Sequence, residues 1–255
     1  MKIIDRFKSL FTNIGIKGGK VPNNRSEKSY KYHNEAYPDQ KMLLTNTEVN
    51  IIFDVGSYIG DTVQEYHNLF PKSRIYSFEP LEETYNTLSE KFKDNNHIKT
   101  YNLAIAKNSG SKKFYVNKAN YTNSLLEVAD TSKIYIDTNL TDNLRYVNVE
   151  TISLDDFCKR ENIEKINILK MDIQGAELMA LHGATNLLKT RTIDIIYLEV
   201  EFVKLYDDQA YFNDIHEYLT GYGYILFGLY DLRYGKNNVF AWCDALYISP
   251  KLNRT

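Results

Sequence analysis

"IIFDVGSYIGD", residues 51–61, is an apolar run that ends in Asp54, meets Gly56 and Gly60, and closes on a second acid, Asp61. A short apolar run, a glycine turn and then "DTVQEYHNLF" at helical spacing describe a buried strand handing over to a helix. The pattern repeats along the chain. "RIYSFEP", the helical "LEETYNTLSEKFKD", "IKTYNLAI", "KINILKMDI", the helical "AELMALHGATNLLK", "IDIIYLEVEF", the helical "AYFNDIHEYLTGYG", "YILFGLYDL" and "AWCDALYIS" follow in order. Strands that are continuously apolar, most of them separated by helices, predict a parallel sheet covered on both faces. Seven strands fall to that sheet, while "KKFYVN" and "RYVNVETIS" read as two more around a polar loop, and Ser153 followed by acids reads as a helix N-cap. The expected class is α/β, with a doubly wound, mostly parallel seven-stranded sheet.

Composition narrows the partners. At 255 residues and 43% hydrophobic the chain can bury one large core. A formal net charge of -2 argues against nucleic acid, whose binders carry a basic excess. The charge is uneven: Met1 to Lys31 holds eight basic residues against Asp5 and Glu27, a net +6. Ile3, Ile4, Phe7, Leu10, Phe11 and Ile14 fall at helical spacing, so residues 2–15 are expected to form an amphipathic helix. It caps the main domain or docks on a membrane surface or partner. The chain thus divides into a basic head with a polar cap, 1–49, and an α/β domain, 50–255. Cys158 and Cys243 lack metal or disulfide spacing, which fits a reducing cytosolic compartment. No run approaches the ~18 apolar residues of a membrane span, and the start lacks the features of a signal peptide. A cytoplasmic protein is expected, with the head able to touch the inner face of the membrane.

In such a sheet, ligands bind at the carboxyl ends of the strands, and those ends are acidic here: Asp54, Glu79, Asp172 and Glu199. A dinucleotide wants a bare helix N-terminus for its pyrophosphate, whereas Asp61 puts a carboxylate there. A carboxylate suits a cation, and S-adenosylmethionine carries an ammonium and a sulfonium. Glu79, at the end of the second strand, can accept both ribose hydroxyls. NAD, with nucleotide-sugar oxidoreductase or epimerase chemistry, is the alternative.

Several segments together resemble one family: "FDVGSYIGDT", "IYSFEP", "YNLAIAKNSG", "NSLLE", "ISLDDF", "ILKMDIQGAELMALHGA" and "WCDALYI". Over residues 50 to 249 the chain is similar to the FkbM family of S-adenosylmethionine-dependent methyltransferases. That resemblance implies a Rossmann-like class I methyltransferase fold with an antiparallel last strand. It implies that Gly56, Ser57, Tyr58, Gly60 and Asp61, following Asp54, wrap the methionine part of the cofactor, that Glu79 holds the ribose, and that Asn102 and Ala104 lie beside the adenine. Asn123 and Ser124 fall in a family segment and are candidates to touch the cofactor. Two positions depart from the family's habit: Ser57-Tyr58 replaces Ala-Asn, and Gln174 stands where Glu is common.

Methyl transfer to oxygen needs alignment and a base. Asp172 is the first candidate, with Lys170 two residues earlier on the same strand face. Glu199 and Glu201 share a face of the fifth strand and extend the acidic pocket. No metal ligand set is assigned. Asp244 is a further acid for the pocket, and Tyr206, Tyr230 and Trp242 are candidates for a sugar-stacking surface. His182 and His216 read as packing residues. The expected activity is O-methylation of a small or glycan acceptor, foremost a sugar of a surface polysaccharide. A non-catalytic scaffold for glycan assembly, docked through the head, is the non-enzyme alternative.

Overall fold

The computed structural model describes residues 35–252 of the chain. The expected head helix over 2–15 lies outside them. The main sheet runs β1 (Ile51–Val55), β2 (Arg74–Phe78), β3 (Ile98–Tyr101), β7 (Ile166–Met171), β8 (Ile193–Glu201), β9 (Ile225–Tyr234) and β10 (Phe240–Ile248). Its order is β3-β2-β1-β7-β8-β10-β9, with β10 antiparallel to both neighbours and the pairs from β3 to β8 parallel. This is the doubly wound sheet with an antiparallel last strand. A second sheet, β4 (Ala104–Ile105), β6 (Asn143–Ile152) and β5 (Gly110–Asn117), stands beside it.

The helices divide between the two faces. On one face α1 (Ala36–Leu43), α2 (Asp61–Leu69) and α3 (Glu82–Phe92) bury Ala36, Val63, Tyr66, Leu88 and Phe92 against Ile52, Ile75, Ile168 and Ile195. On the other, α4 (Leu154–Glu161), α5 (Glu177–His182), α6 (Thr185–Thr190) and α7 (Phe212–Gly221) cover Phe53, Val55, Leu169, Ile196 and Leu198. Successive strand residues alternate faces, so the row beginning at Ile52, Ile168 and Ile195 continues toward the strand ends as Asp54, Lys170 and Tyr197. The first of these faces is therefore apolar at one end and charged at the other.

Two departures from the sequence reading have local causes. "IKTYNLAI" leaves the main sheet at Asn102, whose amide donates to the carbonyls of Glu79 and Pro80 at 2.9 Å each, and Ala104–Ile105 joins the small sheet. "AELMALHGATNLLK" is two helices. A Cβ at Gly183 would lie 2.3 Å from the Ala106 carbonyl oxygen, so the break sits where the chain packs closest. There the Asp155 carboxylate accepts from the Asn186 and Leu187 amides to start α6. The polar segment before residue 50 contributes the two turns of α1. Tyr230 donates to Asp39 at 2.7 Å and Tyr66 to Gln40 at 3.0 Å, which ties α1 to the sheet and to α2. Ser153 caps α4 as expected, accepting from the Asp156 amide at 3.1 Å.

Candidate active site

The loop after β1 is shaped by what presses on it. Gly56 has φ +79°, and a Cβ there would lie 1.9 Å from the Asp172 carbonyl oxygen; at Gly60, φ +83°, it would strike Leu88 and Phe92 of α3. Only glycine tolerates both the left-handed backbone and the approach. The Gly56 and Ser57 amides donate to the Phe78 carbonyl, Gly60 to Ser57, and the Ser57 hydroxyl to the Asp54 carbonyl. Tyr58 is held at φ 48°, with its amide donating to the Glu79 carboxylate at 3.1 Å. The loop is thus clamped to the end of β2.

A cavity of about 210 Å³ opens over this loop. Phe78, Leu103, Ile105, Phe114 and Leu125 form its apolar lining, and Glu79, Asp61, Lys170, Asp172 and Gln174 its polar lining. Glu79 is buried, and its two oxygens accept from the Tyr58 and Leu81 amides. Burial, only partly offset by those N–H groups, pushes its pKa up to about 7. Asp61 stands at the cavity mouth, highly exposed, with Lys91 of α3 at 2.9 Å.

Across the sheet the acids crowd together. Asp54 and Lys170 are register partners on β1 and β7, both buried, with Nζ 3.2 Å from Asp54 Oδ1 and 4.0 Å from Asp172 Oδ2. Burial pulls the Lys170 ammonium down, but the charges of Asp54 and Asp172 more than offset it and the net direction is up. Asp172 keeps 46% of its side chain exposed on the cavity wall. Gln174, at φ 56°, donates from Nε2 to Asp172 Oδ1 and to Glu199 Oε2, both at 2.8 Å, and accepts from the Tyr206 hydroxyl at 2.8 Å. Behind it lie Glu177 and Glu201, both buried. Glu177 accepts from the Ile173 amide, whereas neither oxygen of Glu201 has a hydrogen-bond partner among the described residues. Burial, then the neighbouring carboxylates, pushes Glu199 and Glu201 well above the usual carboxylate range, and burial takes Glu177 up to about 7. Asp244, opposite Glu199 on β10, accepts from the Tyr197 hydroxyl and is pushed by burial to about 6. No group of three His, Cys, Asp or Glu side chains among the described residues is arranged to hold a metal ion.

The sequence-derived residues sort by position. Gly56, Ser57, Tyr58, Asp61, Glu79, Ala104, Lys170 and Asp172 line the cavity. Asp54 lies beneath it on Lys170, and Gly60 faces α3. Asn102 braces the end of β2. Ser124, buried, donates to the Gln174 carbonyl from behind the wall. Glu199 joins the cavity only through Gln174, and Glu201 lies deeper. Of the proposed stacking aromatics, Tyr206 and Tyr230 are buried, and Trp242 packs against the cluster of Leu126, Ala176 and Val203. The exposed rings at the mouth are Tyr58 and Tyr121. Sequence reading missed Gln174 as a bridge and Glu177 as a buried acid. The available signal was the proximity of "DIQGAE" to two acidic strand ends.

The chain matches the methyltransferase FkbM domain over residues 54–226, a span that takes in the glycine loop, Glu79, Asp172 and the acids of β8. It belongs to the FkbM methyltransferase family. Two characterised relatives are similar over much of their length. One is a 2-O-methyltransferase, NoeI, of Sinorhizobium fredii, 27% identical over 68% of this chain and 72% of the relative. The other is a hexuronic acid methyltransferase, AglP, of Haloferax volcanii, 25% identical over 63% of this chain and 60% of the relative. Among solved structures, an rRNA methylase from Streptococcus thermophilus is similar at 11% identity and a TM-score of 0.46, over 83% of this chain and 94% of that one.

The chain is therefore a methyltransferase, with S-adenosylmethionine as methyl donor. The cavity fits that donor. A carboxylate has about four acceptor sites, so Glu79, with two occupied by amides, keeps two for a ribose diol. The apolar lining suits an adenine, and Asp61 with the Gly56–Tyr58 turn suits the cationic amino-acid end. No helix among the described residues is long and apolar enough to cross a membrane.

Proposed function

We propose that this methyltransferase O-methylates a hydroxyl of a sugar acceptor in glycan assembly, in the cytoplasm, with Asp172 as the base. The observation that carries the reading is the placement of Asp172: its carboxylate is on the cavity wall, partly exposed, between the Lys170 ammonium and the Gln174 amide. When bound, S-adenosylmethionine supplies a methyl carbon that passes to the acceptor oxygen while the carbon–sulfur bond pair returns to sulfur. Asp172 accepts the hydroxyl proton, and Lys170 and Gln174 fix the carboxylate so that little reorganisation is needed. Glu79 orients the donor through its ribose. The 2-O-methyltransferase and the hexuronic acid methyltransferase among its relatives support an oxygen or sugar acceptor. The exposed Tyr58 and Tyr121 at the mouth and the hydrogen-bonding groups of the wall suit a polyhydroxyl ligand.

The test is incubation with methyl-labelled S-adenosylmethionine and a panel of nucleotide sugars and cell glycans, with the label located by mass spectrometry. Label on a sugar oxygen supports the reading. Label on RNA or protein, with none on sugar, overturns it.

A further inference from the structure

Gln174 has each of its side-chain hydrogen-bonding groups engaged. Its two N–H donors go to different carboxylates, Asp172 on the cavity wall and Glu199 behind it, and its carbonyl accepts from the Tyr206 hydroxyl. Turned over, the amide would set its carbonyl against the Asp172 oxygen and lose the bond it makes there. Its backbone is also pinned. The left-handed φ of 56° precedes Gly175 at φ +88°, and the Gln174 carbonyl accepts from the buried Ser124 hydroxyl at 2.8 Å.

We propose that Gln174 is a positioning residue that joins Asp172 and Glu199 into one unit, holding Asp172 toward the donor cavity to accept the substrate proton. The groups around the unit suit an amide at this position of this chain, where Glu is common in the family. Lys170 of β7 is the cation facing Asp172, and it is shared with Asp54 of β1. Glu177 of α5, Glu201 of β8 and Asp244 of β10 surround the unit with further carboxyl groups, each of which burial drives toward its neutral form. A neutral residue with two donors lets neighbouring acids approach without a further charge. A carboxyl at 174 would crowd Asp172 and Glu199 with a further acid and lose the two N–H donors that join them.

The inference rests on Asp172 being the base, yet its test reads the clamp without an acceptor. In the full-length protein, the side-chain carboxyl carbons of Asp172 and Glu199 are followed against pH by NMR in the wild type, Gln174→Glu and Gln174→Met. The methionine variant keeps the volume and removes the hydrogen bonds, so it decides the matter if the glutamate variant fails to fold. The midpoint of the Asp172 titration is expected to move up in both variants, by about one pH unit or more in Gln174→Glu. An unmoved Asp172 titration in a folded variant overturns the clamp. The base assignment fails separately, if Asp172→Asn retains methyl transfer.

Discussion

The two sides of the crevice at the strand ends treat their carboxylates differently. On the β1–β2 side, Glu79 is buried but takes two backbone N–H groups, from a turn whose geometry the glycines fix. On the β7–β8 side, Asp172, Glu177, Glu199 and Glu201 share few donors, namely Lys170, the Gln174 amide and the Ile173 amide. Backbone donors belong to the fold and do not titrate, so the first side is a fixed receptor. Side-chain donors can be lost one at a time, and on the proposed reading the partly exposed Asp172 of the second side receives the substrate proton. On the proposed reading, binding and chemistry lie on opposite sides of the switch in strand order between β1 and β7.

The separation can be broken by substitution. The largest effect is expected for Asp172→Asn, with methyl transfer falling about 10²–10⁴-fold as a general base is lost, read by label incorporation at saturating donor. Lys170→Met should cost about 3–5 kcal/mol in denaturant unfolding, because Asp54 is left buried beside no cation. Glu79→Gln should weaken donor binding about 10–100-fold by calorimetry, through weakened charge-assisted bonds to the ribose. In the wild type the same affinity should be full above pH 7 and decline as pH falls through about 7, where Glu79 takes up a proton. If affinity were flat from pH 5 to 9, Glu79 would not be the ribose acceptor.

The smallest effect tests the acid-rich side. A carboxyl raised above its ordinary 4.5 binds its proton more tightly in the folded state, so its burial destabilises increasingly as pH rises from about 4.5. Glu201→Gln removes that penalty. The variant should match the wild type near pH 4 and exceed it by about 1 kcal/mol or more at pH 8. A variant less stable at pH 8 than at pH 4, relative to wild type, would show that Glu201 is ionised and paired.

The β1–β2 side was legible in the sequence because its signals are local. "DVGSYIGD" fixes a strand end, a glycine turn and a helix start, and Glu79 follows at the next strand end. The face alternation that puts Asp54, Lys170 and Asp172 together also follows from strand period. Gln174 as a bridge and Glu177 as a buried acid were not legible, since their roles depend on how the β7–α5 loop folds over β8. A left-handed Gln174 is not announced by residue type. The exit of the chain from β3 at Asn102 was equally hidden, because an asparagine inside "IKTYNLAI" gives no sign of reaching back to Glu79 and Pro80. Nor could composition choose Tyr58 and Tyr121, among 21 tyrosines, as the exposed rings at the mouth.

The division between receptor and chemistry is tested most directly on one variant. For Asp172→Asn, the dissociation constant for S-adenosylmethionine and the rate of labelled methyl transfer at saturating donor are measured on the same preparation. Binding within about threefold of the wild type, with transfer reduced at least about 10²-fold, is the predicted result. Retained transfer, or a loss that follows the loss of binding, would contradict it.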